Sequence, residues 1–516
     1  MLRQKPLKDI LVNTSLAVST GILGFLSFPP FNFSLLAWIF LVPLLFVVRR
    51  SRGKRESFLF SYLSGLVFFG CLLYWLVNVS VPGTIILVLA LSLFFGLFGA
   101  AASIILKYSA DILILPFFWV ALEYIRCHLF TGFPWGLAAY SQYLNLNLIQ
   151  IADLAGAYGV SFLVVMFNVA MLAVLGRMER RIGYMMIALF FILASTMYGK
   201  YRLDNFSIWG SPTISVVQGN IPQQLKWDAA YADEIMDEYI TLTRDAGADR
   251  SDMIIWPETA YPFLVENEKR DAAEVKELAA EIGSPILIGA VYDDGKDYYN
   301  TAILFSEKGE FAEKYLKLHL VPFGEYVPFG DKLEFIRGYI DKPMGDFKEG
   351  TKYTLFPMSS FSSSNTAKGT ITRRTSFYKF GVLICFEDIF SEISREFVKR
   401  GADFLVNMTN DAWFGRSAAP EQHLQASVFR AVENRVPVVR AANTGVSGFV
   451  DSTGAVLSRV EEGGKDVFVK GFATDRIRVT HMRSVYTKYG DVFVVFCGIM
   501  IGIIILTEAL LKKGKV

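Results

Sequence analysis

The chain has 516 residues, of which 53% are hydrophobic and only 19% are charged, and its mean hydropathy is +0.38. A soluble protein of this length carries more charge, so the composition indicates a membrane protein. The formal net charge of +2 provides no field that would gather nucleic acid. The sequence also lacks a glycine-rich phosphate loop and the paired cysteine or His-Glu spacings of common metal sites.

Eight apolar runs have close to the roughly 20 residues that cross a bilayer as a helix. They lie at residues 9–27, 34–49, 57–79, 83–107, 112–130, 159–176, 183–199 and 489–511. The first run follows a basic start, MLRQKPLK, which is also typical of a signal peptide. No small-x-small cleavage site precedes the Phe-Pro-Pro at 28–30, and further runs follow, so we predict a retained helix.

Basic segments predict the orientation of these runs. RRSRGKR at 49–55, RMERR at 177–181 and both chain ends fall on one side if the chain crosses the membrane eight times. The positive-inside rule makes that side the cytoplasm. We therefore predict a membrane domain of seven helices over 1–200, an outward-facing domain over 201–488, and a last helix with a basic cytoplasmic tail over 489–516.

Residues 201–488 have the pattern of a soluble α/β domain, in which short β-rich runs alternate with helical patterns. The runs are TISVVQGN at 213–220, MIIWPE at 253–258, PILIGAVY at 285–292, YNTAILF at 299–305, GVLICFED at 381–388, FLVNMTN at 404–410 and VPVVRAAN at 436–443. The segment 358–376 is rich in Ser and Thr and has no periodicity, so we predict a loop insertion without chemistry.

One cysteine differs from the others in its surroundings. Cys71, Cys127 and Cys497 lie in or next to apolar runs, whereas Cys385 is alone in the polar part of the chain. A cysteine at the end of an apolar run usually only packs. Because Cys385 has no partner in its domain, a disulfide framework is excluded, and the thiol is a candidate nucleophile.

Two further polar residues are candidates for the same site. Glu258 follows the run MIIWP, and Lys317 lies in the irregular stretch EKYLKLHLVPFGEYVPFG. A thiol is mostly protonated near neutral pH, so a nucleophilic cysteine needs a base such as Glu258 and a positive charge such as Lys317. Taken singly, such a glutamate is more often an acid at a helix start, and such a lysine is more often a solvated cation.

The three blocks together resemble a known family. WPETA, KLHLVPFGEYVP and GVLICFED are similar to the Glu-Lys-Cys blocks of the nitrilase superfamily, and more specifically to those of the apolipoprotein N-acyltransferases. Further similar blocks are GFPWGLAAYSQ, VQGNIPQQLKW, NDAWFG and QHLQASVFRAVENRVPVVRAANTG. The resemblance covers essentially the whole chain. It departs from the family pattern at Phe386, where relatives often carry Tyr, and at Ala139, where they usually carry Gly.

The resemblance implies a fold and an activity. It implies an eight-span membrane protein bearing an outward nitrilase-like αββα sandwich, in the bacterial inner membrane with the sandwich on the periplasmic side. Cys385 would take an acyl chain from a phospholipid as a thioester and pass it to the α-amino group of a diacylglyceryl-cysteine on an apolipoprotein. It implies no metal or organic cofactor, no nucleic acid partner, and a monomer working at the bilayer surface.

The resemblance also implies roles for individual residues. Glu258, Lys317 and Cys385 would form the catalytic triad. Supporting roles fall to Glu325, Glu387 and the backbone N–H of Phe386. Substrate contacts fall to Trp227 and Trp413.

Three other hypotheses remain open at this point. A Cys-His dyad would use His319 or His423, although the family pattern uses no histidine. A membrane-tethered amidase would end the reaction with water, but a tether needs only one span. An inactive scaffold or transporter would carry charged residues along a path through the membrane. The charged residues within the apolar runs are mainly Glu123 and Arg126.

Overall fold

The computed structural model describes residues 7–108, 112–267, 271–326, 346–365 and 371–513. The chain divides into two compact units. The first contains the chain up to Asn205, the segment Ser417–Gln425 and the chain from Tyr489 onward. The second contains Phe206–Arg416 and Ala426–Lys488.

The first unit is helical, and each predicted apolar run contains a helix. These helices are Leu7–Leu26, Val42–Arg50, Lys54–Leu72, Val81–Tyr108, Ile114–His128, Ala152–Leu175, Arg181–Asp204 and Val492–Lys513, with a short helix at Leu146–Ile149. By length and composition, four of the described helices are able to cross a membrane. They are Leu7–Leu26, Val81–Lys107, Ala152–Leu175 and Arg181–Asp204.

The second predicted run, 34–49, does not form one long helix. It contains a 3-10 turn at Ser34–Trp38 and a nine-residue helix at Val42–Arg50. Pro43 lies in the first turn of that helix. Proline lacks an N–H and is favoured at a helix start, where no such donor is needed. The break in the run therefore follows from this proline.

The segment Ser417–Gln425 is held in the first unit by a buried amide. Oε1 of Gln422 accepts hydrogen bonds from the indole nitrogens of Trp75 at 3.1 Å and Trp135 at 2.9 Å. Its Nε2 donates to the carbonyl oxygens of Pro29 and Leu72 at 3.3 and 3.2 Å. The amide is thereby fully paired, as a buried polar group must be.

The second unit contains two β-sheets. The described strands of the first sheet run in the order β13-β1-β2-β4-β5-β6, with β3 beside β4. Strands β1, β2 and β4 are parallel, and the outer strands are antiparallel. The bounds are β1 Thr213–Gln218, β2 Met253–Ile255, β3 Leu264–Val265, β4 Ile286–Asp293, β5 Tyr298–Phe305, β6 Phe311–Leu316 and β13 Gly471–Arg476.

The described strands of the second sheet run in the order β12-β11-β10-β9-β8-β7. Strands β8, β9 and β10 are parallel neighbours. The bounds are β7 Leu355–Asn365, β8 Ile371–Ile384, β9 Phe404–Thr409, β10 Val438–Ala442, β11 Gly448–Val450 and β12 Val456–Arg459. The central strands are buried along their length, as is typical of parallel strands covered on both faces.

Helices cover both sheets, and the sheets pack on each other through β1 with β10 and β5 with β8. The helices of this unit are Ala232–Gly247, Ala273–Ile282, Ser391–Lys399, Ala419–Asn434, which begins in the first unit, and Val485–Tyr489. Helix Ala232–Gly247 buries Ile235, Tyr239 and Leu242, spaced three to four residues apart, against the first sheet. The predicted αββα sandwich is confirmed.

The predicted loop at 358–376 is wrong. Within this segment, residues 358–365 belong to β7 and residues 371–376 to β8, and the two strands pair antiparallel from Leu355 with Gly381 to Asn365 with Ile371. Residues 366–370 lie outside the described part. Thr and other β-branched residues favour a pleated strand surface, so the Thr-containing composition is compatible with paired strands.

Candidate active site

The three predicted catalytic residues all lie at strand ends in the second unit. Cys385 directly follows β8, Lys317 directly follows β6, and Glu258 lies three residues beyond β2. All three are buried, with exposed fractions of 7%, 1% and 7% respectively. Nζ of Lys317 lies 3.5 Å from Oε1 of Glu258. A thiolate at Cys385 would interact electrostatically with both charges.

The backbone of Cys385 is in a strained conformation. Its φ is +55°, in the left-handed region that a residue with a side chain rarely adopts. The residue opens a 3-10 turn, Cys385–Ile389, and Nδ2 of Asn407 donates to its carbonyl oxygen at 3.0 Å. Such strain costs about 1–3 kcal/mol and persists only where neighbours enforce it. The turn presents the thiol beyond the end of the strand.

Glu387 joins the nucleophile turn to the lysine loop. Its fully buried carboxylate accepts hydrogen bonds from the N–H groups of Ile384, Leu318 and His319 at 2.7, 2.7 and 3.0 Å. The Tyr315 hydroxyl donates to it at 2.9 Å. Burial raises the pKa of Glu387 to about 7, although the backbone donors and Lys317 oppose the rise. These bonds fix the two strand ends relative to each other.

Glu325 and Asn300 complete the charge network around Lys317. Nζ of Lys317 donates to Oε1 of Glu325 at 2.9 Å. Nδ2 of Asn300 donates to Oε1 of Glu258 at 2.7 Å and to Oε1 of Glu325 at 2.8 Å. The N–H of Val321 donates to the second oxygen of Glu325 at 2.8 Å. The two carboxylates therefore share one lysine and one amide.

The electrostatics of the site determine the resting protonation states. Burial acts to lower the pKa of Lys317, but the charges of Glu325 and Glu258 raise it above its usual value, so the ammonium stays protonated. Burial and the Glu258 charge raise the pKa of Cys385 well above its usual value, and Lys317 only partly opposes them. The resting nucleophile is therefore a thiol, and attack requires a base to remove its proton.

Gly289 provides the space in which Glu258 is placed. A Cβ at this position of β4 would lie 2.3 Å from the carbonyl oxygen of Pro257, 2.5 Å from the nitrogen of Thr259 and 2.8 Å from Cα of Glu258. All three are backbone atoms, so no side-chain rotation would relieve the clash. Only glycine allows the Glu258 loop to pass this closely over the strand.

Comparison with known proteins covers both units. The family model of the apolipoprotein N-acyltransferase N-terminal domain matches residues 20–170, and that of carbon-nitrogen hydrolases matches residues 213–481. An apolipoprotein N-acyltransferase of Geobacter metallireducens is 38% identical over 95% of this chain and 94% of its own length. One from Methylococcus capsulatus is 33% identical over 85% and 86%. The chain belongs to the apolipoprotein N-acyltransferase family.

A solved structure is also similar to part of this chain. The Saccharomyces cerevisiae protein Nit3, a member of the nitrilase superfamily, is 18% identical and covers 52% of this chain and 91% of its own, with a TM-score of 0.37.

The resemblance also assigns roles to Trp227, Trp413 and Phe386, whose surroundings differ from one another. Trp227 is half-buried, and its indole N–H has no hydrogen-bond partner among the described residues. Trp413 is 39% exposed, in the 3-10 turn Asp411–Phe414. The ring of Phe386 lies 5.7 Å from that of His319 and 4.9 Å from that of Phe390. The backbone N–H of Phe386 belongs to the residue directly after Cys385 in the chain.

The two histidines of the alternative dyad both lie near aromatic rings. The His319 ring lies 4.0 Å from the ring of Phe390. His423 belongs to the Ser417–Gln425 segment, with its ring 5.7 Å from that of Trp135. Neither is among the main groups that shift the pKa of Cys385. The structure therefore gives the dyad no support.

Sequence analysis missed two members of the network, Asn300 and Lys226. Nζ of Lys226 donates to the main-chain oxygen of Glu258 at 2.7 Å, and its side chain is buried. Both residues lie in blocks already noted, YNTAILF and VQGNIPQQLKW. Asn300 is a polar residue in an apolar strand, and Lys226 precedes Trp227, a residue to which the resemblance assigns a substrate contact. These two features could have indicated them.

Proposed function

We propose that this protein transfers a fatty acyl chain from a phospholipid, through a thioester on Cys385, to the α-amino group of the N-terminal S-diacylglyceryl-cysteine of an apolipoprotein. One observation carries the proposal. A buried cysteine in a strained strand-end turn lies beside a Glu-Lys pair, in a chain that matches named apolipoprotein N-acyltransferases over nearly its whole length.

In the first half-reaction, Glu258 takes the proton of the Cys385 thiol, and the thiolate attacks the ester carbonyl of the phospholipid. The carbonyl π electrons move to oxygen, and the ammonium of Lys317 and the N–H of Phe386 stabilise that oxyanion. The intermediate collapses by breaking the bond to the glycerol oxygen. Glu258 returns the proton to this oxygen, so lysophospholipid leaves and the thioester remains.

In the second half-reaction, the amine of the diacylglyceryl-cysteine attacks the thioester carbonyl. Glu258 accepts the proton lost by the nitrogen as the amide forms. The C–S bond breaks, and Cys385 leaves as a thiolate that regains its proton from Glu258. The enzyme thus returns to its resting state, with Lys317 stabilising the oxyanion and the departing thiolate in turn.

Supporting residues act by fixing these groups. Glu325 holds the ammonium of Lys317, and Glu387 holds the turn that carries Cys385. Trp227 offers a buried indole N–H with no partner among the described residues, which suits a contact with substrate. Trp413 offers an exposed aromatic surface for an acyl chain.

We further propose that the protein crosses the bacterial inner membrane eight times, with the second unit on the periplasmic side. The support is that each apolar run contains a helix, that four of the described helices are long and apolar enough to cross a membrane, and that the basic segments fall on one side. Both substrates have their tails in lipid, so an acyl transferase must work at the bilayer surface. An amidase has no such need, which makes it the weaker candidate.

Trapping the acyl-enzyme tests the proposal. The purified protein in detergent is incubated with phospholipid carrying a labelled acyl chain and no amine acceptor. We expect up to about one label per protein on Cys385, because there is one nucleophile. Neutral hydroxylamine should release the label as it does from a thioester, and a diacylglyceryl lipopeptide should receive it on its amino group.

Variants make this experiment decisive. Cys385→Ala should not charge, and Glu258→Gln should charge slowly because no base removes the thiol proton. Release of free fatty acid without transfer to the lipopeptide would support the amidase. Transfer by Cys385→Ala would overturn the mechanism.

A further inference from the structure

Arg440 and Asp388 form a fully buried ion pair that includes a residue of the nucleophile turn, Cys385–Ile389. Nη1 of Arg440 donates to Oδ2 of Asp388 at 2.9 Å, and the two side chains are 1% and 0% exposed. Because desolvation offsets the attraction, replacing a buried ion pair with apolar side chains often leaves stability unchanged. Stability alone is therefore a weak explanation for this pair.

Ser427 joins the ion pair and restricts it further. Its hydroxyl donates to Oδ2 of Asp388 at 2.5 Å and accepts a hydrogen bond from Nη1 of Arg440 at 2.6 Å. Nε of Arg440 donates to the main-chain oxygen of Val446 at 3.3 Å. A guanidinium is planar and its N–H groups point in fixed directions, so these bonds determine where the Asp388 carboxylate lies.

The nucleophile turn is therefore anchored at two places. Glu387 ties it to the lysine loop. Asp388 ties it to Arg440 in β10 and to a hydroxyl on helix Ala419–Asn434. The strained backbone of Cys385 persists only where its neighbours enforce it. Loss of the second anchor should allow the turn to relax and the thiol to move.

We propose that Arg440 is a positioning residue for acyl transfer, whose guanidinium holds the nucleophile turn through Asp388 and so keeps the thiol where Glu258 takes its proton. This inference rests on the proposed role of Cys385 as the nucleophile. Arg440 acts only through Asp388, and no bond to Arg440 forms or breaks in the reaction. The guanidinium is not deprotonated in proteins, so its charge is present throughout the pH range of an assay.

A second carboxylate determines which variants are informative. Nη2 of Arg440 lies 3.9 Å from Oδ2 of Asp411, whose side chain is fully buried. A neutral residue at position 440 would leave two buried carboxylates without this cation, which is strongly destabilising. Arg440→Lys keeps the charge but loses the directed N–H groups. Asp388→Ala removes the anchor, whereas Asp388→Asn keeps an acceptor of the same shape.

The test is the reaction of the full-length protein with p-nitrophenyl butyrate, an activated ester that requires no phospholipid. Attack by Cys385 forms a butyryl thioester and releases p-nitrophenol, so the thiol is measured as a burst. Each variant is assayed well below its own melting temperature, so that only folded protein is measured. We expect Arg440→Lys and Asp388→Ala to slow the burst at saturating ester by about 100-fold, the cost of a misplacement of about 1 Å.

Two comparisons separate positioning from other effects. The ester concentration that gives half the maximal burst rate should stay close to that of the unchanged protein, because positioning acts on the reaction step. Asp388→Asn should remain much faster than Asp388→Ala, because it keeps the acceptor. Arg244→Lys is a matched control, since Arg244 forms a 2.8 Å ion pair with Glu281 in which both side chains are about half exposed. It should burst at the unchanged rate.

A purely structural ion pair would give a different result. Arg440→Lys and Asp388→Ala would then melt at a lower temperature but burst at the unchanged rate, and the proposal would be overturned. If neither variant folds, Ser427→Ala still decides, because it removes one of the two side-chain donors to the Asp388 carboxylate. A slower burst in Ser427→Ala would support the proposal, and an unchanged rate would reject it.

The activated ester separates this inference from the proposed function. A protein that gives a burst but is never charged by phospholipid refutes the acyl-transfer function, while the variants still decide the role of Arg440. A burst in Cys385→Ala, or no burst in the unchanged protein, would reject the nucleophile and this inference with it. A protein that phospholipid charges, with equal burst rates in all variants, refutes only the role of Arg440.

Discussion

Gly289→Ala should disable acyl transfer without replacing any side chain that takes part in the chemistry. The added Cβ would lie 2.3 Å from the carbonyl oxygen of Pro257, whereas ordinary contacts begin at 3.4 Å. The backbone that carries Glu258 must therefore move by about 1 Å. A misplacement of this size costs about 100-fold in rate, and forcing a methyl into packed backbone costs about 1–3 kcal/mol of stability.

The assay is the rate at which labelled phospholipid charges Cys385, with a thermal unfolding measurement on the same sample. Gly183→Ala is a matched control, because a Cβ there meets nothing within 4 Å. It should charge at the unchanged rate. Charging of Gly289→Ala within about threefold of the unchanged protein, well short of the 100-fold loss, would show that the position of Glu258 does not limit the reaction.

Three further predictions concern charge and topology. Lys317→Arg should lose at least about 2.7 kcal/mol of transition-state stabilisation in charging kinetics, since a planar guanidinium does not replace a compact ammonium. Glu325→Gln should lose less. Near-normal turnover in Lys317→Arg would place the lysine outside the site. Burial raises the pKa of Glu387 to about 7, so the folded protein gains stability from this group as pH falls from about 7 towards the usual carboxyl pKa of about 4.3. In Glu387→Gln, the rise of the melting temperature over this pH range should be smaller. Parallel plots of melting temperature against pH for the two proteins would contradict this prediction. A cysteine in the 49–55 loop should resist an impermeant thiol reagent in intact cells, whereas Lys308→Cys should react; the reverse pattern would overturn the proposed orientation.

The sequence predicted those parts of the site that depend on local pattern. Cys385 and Glu258 stand at the ends of predicted β-rich runs, so their positions follow from those runs. Lys317 was placed in an irregular stretch, whereas the structure puts it directly after strand β6. Asn300 was missed because its contacts are with Glu258 and Glu325, which lie 42 and 25 residues away in the chain. No local pattern records which side chain crosses a strand to meet another.

The errors in the fold have a similar origin. The segment 358–376 was predicted as a loop because its composition is polar, but pairing between two strands satisfies the backbone whatever the side chains are. The run 34–49 was long enough to span a bilayer, but Pro43 sets the start of a short helix within it. Composition reports burial and solvation, whereas pairing and helix starts depend on single positions.

Phe386 and Glu387 are adjacent in the turn that carries Cys385, but their side chains make different kinds of contact. Glu387 faces inward and fixes the turn through its four donors, whereas the Phe386 side chain is only half-buried and packs on neighbouring rings. A substitution at position 386 would therefore change ring contacts, whereas one at position 387 would remove the acceptor of the Tyr315 hydroxyl and of three backbone N–H groups. For protein engineering, this makes position 386 the one of the two at which side chains can be varied, and position 387 one to leave alone.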